Sequence, residues 1–271
     1  MNLAFVFKST SYWPLYLGVL DFFHQEELPF HSLVGSGSGG WISALYSFRL
    51  DPQWMIHYCR QKVETGVAQY LCYEEYPLHF SPKKLRLPFT TPTAYIPQVL
   101  EDLIPPFMNG RRIEEAFLQL GISALDLRNG VTQFFSMGPL AEILVGTLVF
   151  PGFFQYSMTE FGPLVDPILV EPISISPIRE LGEQFIIALY PYYELPPLAK
   201  DGISSKEQIS RILQLNMARK SERELDKADL VLSYPFTATS KMDTALFDHL
   251  VEEGRLLAEN HLAQIYQLLE E

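Results

Sequence analysis

Six consecutive small residues, Gly35-Ser36-Gly37-Ser38-Gly39-Gly40, are where this chain most plainly offers chemistry. They follow a short apolar run, Ser32-Leu33-Val34, and lead into a helical stretch from Trp41 to Phe48. Strand, tight Gly/Ser turn and helix is the arrangement that presents a nucleophilic serine for acyl transfer, because flanking glycines let strand and helix approach. The helix N-terminus then aims free N–H groups at developing negative charge. A flexible Gly/Ser loop or a phosphate cradle has the same composition, so the turn alone leaves those alternatives open. The six histidines, His24, His31, His57, His79, His249 and His261, fall at no spacing that makes a triad or a metal site. Cys59 and Cys72 have no histidine at zinc spacing and read as two reduced thiols, so neither metal nor cofactor is expected.

The elements that must position this turn are legible as patterns. Leu3 to Phe7 is a continuous apolar run, the pattern of a strand buried on both faces. A helical stripe follows at Leu15, Val19, Phe22 and Phe23, and then the strand at Ser32. This β-α-β order implies a parallel sheet covered by helices. The stretch Leu78 to Pro106, rich in proline and aromatics, reads as a long irregular segment. Strands resume at Ser123-Ala124-Leu125 and Val131 to Phe135, joined by an Asn129-Gly130 hairpin turn. A helix is expected over Pro139 to Thr147, a turn at Asp166-Pro167 and a strand over Phe185 to Tyr190. Ser204 with Glu207, or Ser205 with Gln208, forms a capping box ahead of the stripe Ile209, Ile212, Leu213 and Met217. Asp229 to Leu232 is a last strand. A long amphipathic helix, Thr244 to Leu269, closes the chain, and Gly254 on its seam signals a close neighbour.

Composition narrows the function. The 271 residues, 48% hydrophobic and 19% charged, suffice for a sizeable core, and the absence of a linker or repeat favours a single domain, 1–271. The net charge of −12, with no dense basic patch, argues against nucleic-acid binding. The apolar run Val145 to Phe154 is broken by Gly146, Pro151 and Gly152 and is too short to span a membrane. The N-terminus has neither a basic flank nor a long apolar core, so no transmembrane segment or signal peptide is expected and the location reads as cytoplasmic.

Several segments together resemble the patatin-like phospholipase family over nearly the whole chain. Leu3-Ala4-Phe5-Val6-Phe7 with Leu17-Gly18-Val19-Leu20 is similar to the family's first strand and helix. Ser32 to Ser47 is similar to its nucleophile turn and helix. Leu125-Asp126-Leu127 with Asn129-Gly130, Phe150-Pro151-Gly152-Phe153-Phe154, Leu164-Val165-Asp166-Pro167 with Glu171-Pro172-Ile173, and Ala228 to Leu232 follow in the family's order. The resemblance implies a three-layer α/β/α fold with a mostly parallel central sheet. It also implies a Ser–Asp dyad that hydrolyses lipid acyl esters, with Asp166 as the aspartate, the segment Lys8, Ser9, Thr10, Ser11 at the oxyanion loop, and a structural role for Asp126.

The departures from that pattern fall on the chemistry. The ungapped match puts Gly37 at the nucleophile position, between Gly35 and Gly39, and leaves Ser38 as the rescue candidate. The oxyanion segment, Lys8 to Pro14, has no glycine, and Tyr12 and Trp13 are large enough to fill substrate space. Pro167 stands where the family has a glycine and restricts Asp166 to extended backbone. The expected function is a non-catalytic member that binds a lipid or acyl chain, or a protein partner, through the old cleft. The alternative is a divergent serine acyl hydrolase using Ser38 and Asp166, with the aromatics of Tyr70 to Tyr95 and Phe150 to Tyr156 lining an acyl pocket. A scaffold using the face of Thr244 to Leu269 is the third reading.

Overall fold

The computed structural model describes residues 2–71, 98–151, 156–182, 185–195, 197–198, 204–237 and 242–270. Strand β1 (Leu3–Phe7) leads through helix α1 (Pro14–Gln25) to β2 (Ser32–Ser36), which passes directly into α2 (Gly37–Arg49). The expected gap between strand and helix is absent: the Gly/Ser run is itself the end of β2 and the first turn of α2. Helix α3 (Pro52–Glu64) carries Asp51 as N-cap, its side chain accepting from Trp54 N. After a short α4 (Gln98–Glu101), β3 (Gln119–Asp126) and β4 (Val131–Phe135) form the expected hairpin, with Gly130 at φ +71°. Helix α5 (Leu140–Leu148) precedes β5 (Ser157–Thr159) and β6 (Gly162–Val165). A 3-10 turn at Pro167–Leu169 and a short α6 (Ser176–Glu180) lead to β7 (Phe185–Tyr193), three residues longer than its pattern suggested. Helix α7 (Ser205–Leu225), β8 (Leu230–Phe236) and α8 (Thr244–Glu270) complete the order.

The sheet runs β5-β6-β3-β2-β1-β7-β8, with β4 also paired to β3. Every pair from β3 to β8 along that path is parallel, and the β4, β5 and β6 pairings are antiparallel. The expected α/β class with a mostly parallel central sheet and flanking helices is the observed one. Side-chain alternation along β1 sorts the core. Leu3, Phe5 and Phe7 join the large cluster with α1, α2, α5 and α8, while Ala4 and Val6 face a smaller one with Ile173, Ile175 and Ile178.

Helices α1 and α8 meet at two glycines. A Cβ on Gly18 would run into the Val251 carbonyl, and one on Gly254 into the Leu15 carbonyl, so the close neighbour that Gly254 signalled is α1. The α8 seam is buried through Phe247, Val251, Gly254, Ala258 and Ile265. The stripe on α7 behaves differently. Leu213 and Met217 turn inward, but Ile209 and Ile212 are 62% and 64% exposed, so the four do not share one buried face. Residues 72–97, which hold Cys72, His79 and most of the proline-rich stretch Leu78 to Pro106, and residues 152–155 lie outside the described residues.

Candidate active site

Parallel pairing of β1 with β2, in register Phe7↔Gly35, makes the loop after β1 and the turn after β2 leave the sheet side by side. Gly35 and Gly39 make that possible. A Cβ on Gly35 would press on the backbone of Gly39, and one on Gly39 would strike the Phe7 carbonyl. Gly37 sits between them at φ +51°, the left-handed conformation that glycine adopts at little cost. Its N–H donates to Thr147 Oγ1 at 2.8 Å, and that hydroxyl donates in turn to the Ser123 carbonyl at 2.7 Å. The backbone thus keeps the shape of a nucleophile turn at a position that has no side chain.

Asp166 arrives at the same point from the end of β6. Its N–H donates to the Val149 carbonyl at 2.8 Å, tying it to the end of α5. Pro167 holds it extended (φ −59°, ψ 126°), and it caps the 3-10 turn by accepting from Ile168 N at 2.9 Å through Oδ1. The second oxygen, Oδ2, accepts the Ser9 hydroxyl at 2.6 Å. The carboxyl is fully buried, and burial pushes its pKa up to about 7. The Ser9 hydroxyl, the Ile168 N–H and the Lys8 charge act the other way. Asp166 is therefore both a turn residue and the partner of a serine.

That serine is Ser9, from the loop after β1, the segment that the resemblance put at the oxyanion position. A Cβ built on Gly37 would fall on Ser9 Oγ and Asp166 Oδ2, so the Ser9 hydroxyl fills the space a nucleophile at position 37 would need. Ser38 is placed elsewhere. Its buried hydroxyl accepts from Thr10 N at 2.9 Å and donates to the Thr10 carbonyl at 2.8 Å, clamping the β1 loop onto the start of α2. Thr10 Oγ1 accepts from Tyr12 N at 3.1 Å, a local turn that folds the loop on itself. Ser11 is also buried. Tyr12 and Trp13 do not fill the space beside Asp166. Tyr12 stacks on Phe236 with centroids 3.7 Å apart and donates to the Thr237 carbonyl, and Trp13 packs edge-on to Trp41.

Asp126 does structural work. Its carboxylate accepts from Arg128 N at 2.9 Å, pairs with the Arg128 guanidinium and accepts from Gln133 Nε2, binding the sheet to its hairpin turn. His24 meets the Tyr46 hydroxyl at 3.0 Å, near the C-terminal ends of α1 and α2. Among the described residues, no three His, Cys, Asp or Glu side chains are placed to hold a metal ion.

Beside this buried pair lies a cavity of about 410 Å³. It opens between the turn after Asp166 (Ile168, Leu169), the end of β7 (Tyr190, Tyr192) and the inner face of α7. Lys8 forms part of its wall, donating from Nζ to the Pro191 carbonyl at 3.1 Å with the ammonium 5.1 Å from the Tyr190 ring centroid. Ser221 also lines it, with a buried hydroxyl that has no hydrogen-bond partner among the described residues. Phe150 is the described residue from the two expected aromatic segments that reaches this wall. Most of the aromatic surface comes instead from β7. There, residues two apart share a face, and Tyr190 and Tyr192 stack at 5.8 Å.

No family model matches the sequence. Among solved structures, VipD from Legionella pneumophila aligns over 97% of this chain and 66% of its own, with a TM-score of 0.52 and 10% identity. The type III effector ExoU aligns over 97% and 53% (TM-score 0.45, 11% identity). ExoU in its heterodimeric complex with SpcU, from the type III secretion system of Pseudomonas aeruginosa, aligns over 97% and 59% (TM-score 0.39, 13% identity). The chain thus spans about two thirds of the VipD chain and just over half of ExoU. Identity this low carries the fold alone, and that fold is patatin-like.

Proposed function

We propose that this chain is a single patatin-like domain, a member of the phospholipase family that has given up catalysis and kept a lipid-binding role. One observation carries the reading: the Ser9 hydroxyl occupies the space of the missing nucleophile side chain and satisfies Asp166. A buried carboxylate that already holds a hydrogen bond, beside a glycine, has no side chain at position 37 to activate. The cavity next to it supports binding. Its volume lies in the range of about 300–1,000 Å³ typical of small-molecule sites. Its wall combines aromatic and aliphatic side chains with one ammonium and one buried hydroxyl. That chemistry suits a single acyl chain carrying an anionic head, the head at Lys8 and the tail along Ile168, Leu169 and Met217. Mass spectrometry of the purified chain should find such a lipid retained, and Lys8→Met should reduce its retention.

The second reading is a divergent serine acyl hydrolase working through Ser38 and Asp166. It draws support from Asp166, whose carboxyl near neutrality is suited to general-base work. It requires Ser38 to release Thr10. A fluorophosphonate probe separates the two readings. Absence of labelling together with retained lipid supports the binder. Labelling that disappears in Ser38→Ala supports the hydrolase, and labelling that disappears in Ser9→Ala places the nucleophile on the β1 loop instead. On either reading a cytoplasmic location and a protein partner remain proposals, tested by fractionation and by affinity capture.

A further inference from the structure

The inner face of α7 closes the cavity through Leu213, Met217 and Ser221, and the opposite face of the same helix is unusual. Ile209, Ile212 and Leu215 are 62%, 64% and 41% exposed. At 100° per residue they fall on one side of the helix, and Arg219 and Arg223 continue the same side toward the C-terminus. Arg219 and Arg223 are exposed, and half-buried Lys220 flanks the ridge. Over Ser205–Leu225 the sequence carries Lys206, Arg211, Arg219, Lys220 and Arg223 against Glu207, Glu222 and Glu224. The helix is therefore net positive in a chain whose net charge is −12. Large aliphatic side chains facing water cost free energy that the inner face does not recover.

We infer that the outer face of α7 docks on an anionic lipid surface. The isoleucines and the leucine enter the interface, and the arginines meet the headgroups. The exposed aliphatic ridge with basic residues beside it presents an apolar strip flanked by positive charge, the pairing that a bilayer interface accepts. The local excess of positive charge selects an anionic surface, because basic residues close to it are attracted by its negative potential. The helix that touches the surface is also the wall of the cavity, so docking places the cavity beside its source of lipid. This inference goes beyond the cavity ligand and stands without it.

The test uses the full chain and sedimentation with two kinds of vesicle: phosphatidylcholine alone, and an equal mixture of phosphatidylcholine and phosphatidylserine. The wild-type chain should pellet with the mixed vesicles, more weakly with neutral ones, and release as salt is raised. Ile209→Glu with Ile212→Glu should weaken binding by about tenfold or more. Arg219→Glu with Arg223→Glu should weaken binding to mixed vesicles while leaving the residual binding to neutral ones. Both pairs replace exposed residues, and matching thermal melts would confirm that the variants fold. Failure of the wild type to pellet with mixed vesicles, or variants that bind as well as the wild type, overturns the inference. So does a concentration-dependent dimer that Ile209→Glu with Ile212→Glu dissolves, because the ridge would then serve a second copy. A chain that retains no lipid yet pellets with mixed vesicles overturns the cavity ligand and supports the docking face.

Discussion

Two side chains, Ser9 and Asp166, meet one glycine, Gly37, at the buried centre of the candidate site. Gly37 has a left-handed backbone, and Ser9 brings its hydroxyl from the neighbouring loop into the space where a side chain at position 37 would lie. The two positions are therefore coupled. Gly37→Ser should lose about 1–3 kcal/mol, because its Cβ meets Ser9 Oγ and Asp166 Oδ2. Gly37→Ser with Ser9→Gly should recover much of that loss, and urea denaturation of the four-membered mutant cycle reads the coupling. Asp166 makes a second prediction. Its folded pKa, about 7, lies above the unfolded value of about 3.9, so the folded state holds a proton that the unfolded chain gives up first. Its contribution to stability is full below about pH 4 and is lost as pH rises through 7. Asp166→Asn can keep the Ser9 contact by donating to it and carries no titrating group. The stability of Asp166→Asn relative to wild type should rise by a few kcal/mol between pH 4 and pH 8, measured by denaturant titration at each pH. A flat difference would mean that Asp166 ionises freely. At this scale the resemblance put Gly37 at the nucleophile position with Asp166 as the aspartate, and the structure brings both against the Ser9 hydroxyl. The sequence did not show Ser9 as their partner, because a hydrogen bond across 157 residues leaves no local spacing to read.

At the scale of elements, the strands and helices follow from periodicity, and the contacts between them follow from where side chains are small. The elbow needs Gly35 and Gly39 because β2 and α2 touch there backbone to backbone. The α1–α8 contact needs Gly18 and Gly254 for the same reason, so Gly254→Ala should destabilise by about 1–3 kcal/mol, read as a lower midpoint in thermal unfolding. Ser38 serves as a clamp between elements. Ser38→Ala leaves Thr10 N without its 2.9 Å partner and should cost about 1–3 kcal/mol, visible in urea unfolding. The long strand Phe185–Tyr193 and the split face of α7 were less legible. Pro191 interrupts the strand pattern, and an edge neighbour in β8 tolerates it. The α7 stripe has helical spacing throughout, and spacing alone does not say which of its sides meets the sheet.

At the scale of the whole molecule, the parallel sheet gathers the ends of β1 and β2 and the start of the turn after β6 at one place. The buried pair, the cavity and α7 lie in sequence outward from there. Among the described residues no helix is long and apolar enough to cross a membrane. Filling the cavity tests its role directly. Ala218→Trp, on the inner face of α7, should abolish retained lipid in mass spectrometry while the thermal midpoint shifts little. Retained lipid unchanged in that variant would place the ligand elsewhere.

What the sequence determined by itself is the class of the fold, helices flanking a mostly parallel sheet. Buried strand runs, a β-α-β order and the glycines at the elbow are local, and each has a local physical cause in hydrophobic burial or backbone approach. Only the tertiary structure decided which hydroxyl fills the space beside Gly37 and where the packed elements leave a cavity. Ser9 meets Asp166, and Ser38 meets Thr10, because β1 and β2 pair in one register. The cavity exists because β7, the turn at Pro167 and α7 stand apart where their side chains do not fill the space between them. Register and residual space are properties of assembled elements, so no single stretch of sequence carries them.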